Sequence, residues 1–148
     1  MNGLVARAEA AQDIAAGLNK FLGPVPKYST EITALISECF AISSALRELS
    51  TAIGDSRYNS GYHEISEDLT ITLQSLEYTF HDVKRLFGDL GRTDYISQSA
   101  AYRSVWQEIT AHFMEESGNS LCRRLEFYRR FLLVLVCVAE GFATILDI

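Results

Sequence analysis

Two pairs of residues have the types and spacing to attract a chemical reading: Glu77 stands four residues before His81, and Glu108 four residues before His112. A carboxylate and an imidazole on one helix are the parts from which di-metal helical bundles are built. Those sites use a Glu-x-x-His spacing with further glutamates turned into the bundle interior. Here the spacing is one residue longer, and the apolar stripe runs through Leu76, Phe80, Ile109 and Phe113, leaving both pairs on its flanks. Solvated pairs one turn apart, worth a few tenths of a kcal/mol each, are the plainer reading; a metal site is the sharper alternative. His63-Glu64 lacks the second histidine of a zinc-protease motif, because position 67 is Glu. No glycine-rich loop follows a strand to cradle phosphate. The expectation is a protein that is not an enzyme and carries no cofactor.

The three cysteines, Cys39, Cys122 and Cys137, are odd in number, far apart, and set among apolar neighbours. A disulfide framework needs pairs, and a zinc site needs close spacing such as C-x-x-C. Reduced thiols buried for packing are the expectation. More pointed is Arg123-Arg124-Leu-Glu-Phe-Tyr-Arg129-Arg130, directly before the nine-residue apolar run Phe131 to Ala139. Positive charge at a helix N-terminus opposes the macrodipole, so these arginines call for acidic partners. Glu115, Glu116 and Glu126 are the internal candidates; an acidic protein or anionic lipid head groups are the external ones.

Helices must position these groups. Breaks fall at Gly23-Pro24-Val25-Pro26, at 54–61, at 88–93 and at Gly118-Asn119, and they divide the chain into five segments. From Gly3 to Leu22 an alanine-rich stripe of Leu4, Ala8, Ala11, Ala15, Leu18 and Leu22 predicts a first helix that buries little area and is the least firmly held. The second, from Thr30 to Ile53, repeats Ile32, Leu35, Cys39, Ile42, Leu46, Leu49 and Ile53 in a heptad seam. Ser29 or Thr30 is its expected N-cap and Gly54 its C′ residue.

The third segment carries Tyr62, Ile65, Leu69, Leu73, Leu76, Phe80, Val83, Phe87 and Leu90. Thirty residues at about 1.5 Å each would reach about 45 Å, so a kink or break is expected. A fourth helix presents Tyr102, Val105, Trp106, Ile109 and Phe113, and a fifth Leu121, Leu125, Tyr128, Leu132, Leu135, Ala139, Phe142 and Leu146. No stretch alternates with period 2, so strands have no support. Short connections favour antiparallel neighbours. The expected fold is all-α, an up-and-down helical bundle of about five helices forming one domain over residues 1–148.

With 148 residues, 48% apolar and 22% charged, the chain can bury a core, and its net charge of −6 argues against nucleic acid as a partner. The charge is uneven: residues 1–91 hold seven basic and twelve acidic side chains, −5, whereas 92–148 hold six and seven, −1. The segment Met1 to Leu22 has neither a signal peptide's apolar core nor a transit peptide's basic bias, so a cytoplasmic chain is expected. The apolar run Phe131 to Ala139 covers every face of its helix, which points to burial on all sides. Glu140 cuts it short of the about 20 residues that a membrane span needs. An apolar ending at Thr144-Ile145-Leu146-Asp147-Ile148 points to the N-terminal module of a longer protein.

The stretch from Tyr28 to Leu49 resembles part of the helical N-terminal domains of fungal STAND-type and related multidomain proteins, of which the HeLo-like domains are the best known. The small-residue helix around Ala15-Ala16-Gly17-Leu18 before it and Leu73-Gln-Ser-Leu-Glu-Tyr-Thr-Phe after it extend the likeness over about the first 90 residues. That resemblance implies a signalling or effector bundle at the front of a larger architecture, sometimes directed at membranes in cell-death systems. Met1 to Leu22, with Arg7, Glu9, Asp13 and Lys20, is less apolar than the first helix of membrane-active members. The leading expectation is therefore a module for protein-protein association or self-association, and the alternative a membrane-targeting cell-death effector that meets anionic membrane only on activation. The candidate interaction surface is Arg123, Arg124, Arg129 and Arg130 with Tyr95 and Tyr102; Trp106 at helical spacing reads first as core.

Overall fold

A computed structural model gives the fold, describing residues 2–54, 59–88, 98–115 and 120–146, with side chains over 3–54, 65–88, 100–114 and 120–140. Among the described residues five helices follow one another: α1 (Asn2–Asn19), α2 (Ser29–Gly54), α3 (Asn59–Phe87), α4 (Gln98–Glu115) and α5 (Leu121–Leu146), with a 3-10 turn at Pro26–Tyr28. There is no strand among the described residues. The protein is an all-α helical bundle.

The heptad seam of α2 is the axis of the core. All seven of its residues are buried, Ile32, Cys39, Ile42, Leu46 and Leu49 completely. Around it α1, α2, α5 and α3 form a ring in which each helix packs on the next, and α4 packs against one end. Chain direction within the ring follows from the cross-helix pairs. Glu38 meets Arg129 and Glu48 meets Glu140, so α2 and α5 run parallel. Arg7 meets Glu77 and Gly17 meets Phe87, so α1 and α3 are parallel too. The chain runs up and down as expected, but only α1 with α2 and α3 with α5 are antiparallel neighbours. Placing α4 at the end of the bundle lets α5 return beside α2 instead of beside its predecessor.

The first helix is not loosely held. Ala8, Ala11 and Ala15 are fully buried, and their small side chains bring α1 close to α2 along the most extensive interface in the molecule. Ile14 and Phe21 add bulk that the alanine stripe omits, each 1% exposed. Phe21 enters the core where Leu22 is expected. The bonds Lys20 N to Gly17 O (3.2 Å), Phe21 N to Leu18 O (3.0 Å) and Leu22 N to Asn19 O (3.3 Å) are of the i to i−3 kind. They overwind the last turn and rotate Phe21 inward.

The helix ends also depart from expectation. Ser29 has helical angles (φ −57°, ψ −38°) and follows straight from the 3-10 turn, so neither Ser29 nor Thr30 is a side-chain N-cap. Gly88 is the one described glycine with positive φ, +56°, so the left-handed stop belongs to α3 and not to Gly54. Between Asn59 and Phe87 α3 is one unbroken helix of 29 residues, without the expected break. Ser120 caps α5, its Oγ accepting from the Arg123 N–H at 3.3 Å.

Candidate functional site

The arginine cluster divides between three directions. Arg129 points to α2, where its Nε donates to Glu38 Oε2 at 2.6 Å in a pair whose side chains are 28% and 18% exposed. Arg124 points to α3, its Nη1 donating to Thr79 Oγ1 at 3.2 Å and its guanidinium lying 5.5 Å from the Phe113 ring centroid. Arg130 lies outward and pairs with Glu126, one turn back, at 2.6 Å. Arg123 is exposed and makes no ion pair with any described residue. Of the internal partners expected, Glu126 is used; the side chains of Glu115 and Glu116 lie outside the described residues. Two of the four arginines thus serve the bundle interior, a division set by the α5 neighbours and not by sequence proximity.

Tyr95 lies outside the described residues. Tyr102 is 5% exposed and meets Phe21 edge-on at 4.9 Å, so its ring belongs to the core and offers no surface. Trp106 is buried equally, packed at 6.2 Å from Phe21 and 6.0 Å from Tyr28. These aromatic contacts dock α4 onto the turn between α1 and α2.

The expectation that α5 is buried on all sides is not met. A second stripe faces outward: Arg123, Phe127, Arg130, Val134 and Cys137, spaced four, three, four and three, are all exposed. Phe127 is 59% exposed, Val134 56% and Leu133 41%. The half-buried Phe131 stacks on Phe127 with centroids 5.8 Å apart and planes at 8°. A ring position gives α5 neighbours on its inner flanks only, so the apolar side chains of its outer face remain in solvent. Apolar residues at heptad spacing flanked by charges are what a partner helix packs against.

The carboxylate and imidazole pairs do not form sites. Glu77 binds Arg7 at 3.1 Å, His81 is exposed, and His112 reaches Asp82 Oδ2 at 3.3 Å to tie α4 to α3. Among the described residues no three His, Cys, Asp or Glu side chains gather to hold a metal. The cysteines divide as well. Cys39 is buried in the seam, and burial followed by the Glu38 charge pushes its thiol up to about 12. Cys122 and Cys137 are exposed, contrary to the expectation of burial. Burial, then Glu38, Glu126 and Glu31, hold the Cys122 thiol above its ordinary range. It borders an apolar groove of about 380 Å³ walled by Leu35, Trp106, Ile109, Phe113 and Leu121.

Farther along the α2 and α5 interface, Glu140 meets Glu48. Burial, then the Glu48 charge and a hydrogen bond with it, raise the Glu140 carboxyl above its ordinary range. A carboxyl whose folded pKa is raised contributes stability in full below its unfolded value and loses it as pH rises through the folded value. Glu140→Gln is therefore expected to raise the melting temperature near neutrality, with the gain fading as pH falls to about 4, the ordinary carboxylate range. Melting curves of both proteins across that interval check this; a gain independent of pH contradicts it.

Comparison of the chain with known protein families, curated proteins and solved structures finds no match. Among the described residues no helix is long and apolar enough to cross a membrane.

Proposed function

We propose that this chain is a non-enzymatic association module whose contact surface is the outer face of α5, with a second copy of the chain as its simplest occupant. One observation carries the reading: Phe127, Leu133 and Val134 are 59%, 41% and 56% exposed on one helix, flanked by Arg123 and Arg130. Phe127 and Val134 stand one heptad apart with Leu133 beside Val134, and large apolar side chains held in water gain by being covered. The flanking charges restrict which helix can cover them. The resemblance of Tyr28 to Leu49 to HeLo-like N-terminal domains fits the same role, a cytoplasmic signalling bundle at the front of a longer protein.

The membrane-targeting alternative needs α1 to leave the bundle, and Leu4, Ile14, Leu18 and Phe21 are each 0–1% exposed against their neighbours. Withdrawing them would open the core along the largest helix interface, which weighs toward association between proteins. Light scattering over a concentration series tests the proposal. The wild type is expected to gain mass with concentration and Val134→Asp to remain monomeric. Wild type and variant that are monomers at every concentration would contradict it.

A further inference from the structure

At the N-terminal end of the outer face of α5, with which it shares Arg123 and Phe127, an open cleft of about 470 Å³ lies between α3 and α5, lined by Ser75, Arg123, Arg124, Phe127 and Tyr128. Among the described residues two guanidinium groups border it and no carboxylate does. Both arginines sit in the first turn of α5, where the helix macrodipole adds to their positive potential. Arg130, by contrast, is held by Glu126 and Arg129 by Glu38. Arg123, with no ion pair to a described residue, has a guanidinium available to a ligand.

Hydroxyl groups link the cleft to the interior. Arg124 Nη1 can only donate, and it donates to Thr79 Oγ1 at 3.2 Å. Thr79, fully buried, shares a hydrogen bond with the Tyr128 hydroxyl at 2.9 Å, and Tyr128 shares one with Ser75 Oγ at 2.7 Å; in each pair either oxygen can donate. The chain ends at the exposed Ser75 hydroxyl, which lines the cleft. The Phe127 ring, 59% exposed, forms an apolar wall beside these donors.

We propose that this cleft binds an aryl phosphate monoester: the phosphate oxygens accept from Arg123 and Ser75 beside the Arg124 charge, and the aromatic ring lies on Phe127. A planar fork of N–H donors matches phosphate oxygens in pairs. A flat ring beside the phosphate uses the exposed Phe127 face, which an inorganic anion cannot. The cleft shares Arg123 and Phe127 with the outer face of α5, so a second copy covering that face and a ligand in the cleft would compete; Val134, which does not line the cleft, separates the two readings.

Amide and arginine side-chain NMR titrations at low salt test it, with phenyl phosphate, inorganic phosphate and a short phosphotyrosine peptide as probes. Saturable shifts are expected at Ser75, Arg123, Arg124, Phe127 and Tyr128, with phenyl phosphate bound more tightly than inorganic phosphate. Tighter binding of the peptide would assign the site to a phosphorylated protein, and equal binding to a free aryl phosphate; either result supports the cleft. Arg123→Gln removes an exposed side chain with no described ion pair, so its melting curve should match the wild type. Its affinity for phenyl phosphate is expected to fall at least about tenfold, while Val134→Asp binds normally. No saturable shift, equal affinity for inorganic and phenyl phosphate, or unchanged affinity in Arg123→Gln would overturn the proposal.

Discussion

Phe21→Ala is expected to be among the most damaging single substitutions in this bundle, costing about 3–5 kcal/mol of stability. Its ring is 1% exposed and packs with Phe87 at 5.6 Å, Tyr102 at 4.9 Å and Trp106 at 6.2 Å, so three aromatic rings on two helices, α3 and α4, lose a shared partner at once. For a domain of this size the loss lowers the melting temperature on the order of 10 °C. Trp106 is the single tryptophan, so its emission reports directly on α4 docking and should shift to the red in the variant. Phe40→Ala supplies the contrast: the same side chain is removed from a site that is 53% exposed, and the change should stay within about 0.5 kcal/mol. Equal effects at the two sites would contradict the assignment of Phe21 to the core.

The second large effect belongs to Arg129→Met, expected to destabilise by about 1–3 kcal/mol. Methionine retains much of the apolar stem but leaves the carboxylate of Glu38, 18% exposed, without the donor that meets it at 2.6 Å. Removing both charges together, as Glu38→Gln with Arg129→Met, should cost less than the two single changes summed, because no unpaired charge remains. Denaturant melts of the four proteins yield the coupling. Additive losses would mean that the pair contributes nothing across the α2 and α5 interface.

Sequence periodicity revealed the inward face of each helix because that face is set by one physical requirement, continuous apolar contact along a helix. Ile32 to Ile53 on α2 and Leu121 to Ala139 on α5 are buried where their spacing says. Periodicity failed where the helix geometry itself changes. At the end of α1 the i to i−3 bonds rotate the chain, so Phe21 and not Leu22 completes the core. It also could not show which helices become neighbours. The parallel pairing of α2 with α5 depends on where α4 sits, and that pairing decides that Arg129 meets Glu38, ninety-one residues away.

The same limit governs the candidate sites. The basic sequence from Arg123 to Arg130 is conspicuous, but a helix sends residues five or six apart in different directions. Arg129 and Arg124 are therefore drawn inward while Arg123 and Arg130 face out. The apolar run after them fits a helix surrounded by others, and a ring of four helices leaves one side of α5 uncovered. Tyr102 illustrates the reverse error: an aromatic residue of a type favoured at interfaces is held inside by Phe21.

The most direct test of the association surface uses the cysteines already present. Cys137 lies on the outer stripe of α5 and is exposed; Cys122 is exposed at the apolar groove; Cys39 is buried, with its thiol pushed up to about 12. Maleimide labelling rates measured over a protein concentration series compare the two exposed thiols within one molecule. The account predicts that labelling of Cys137 slows as concentration rises while that of Cys122 holds constant, and that Val134→Asp abolishes the slowing. A Cys137 rate independent of concentration, or equal slowing at both thiols, would contradict it.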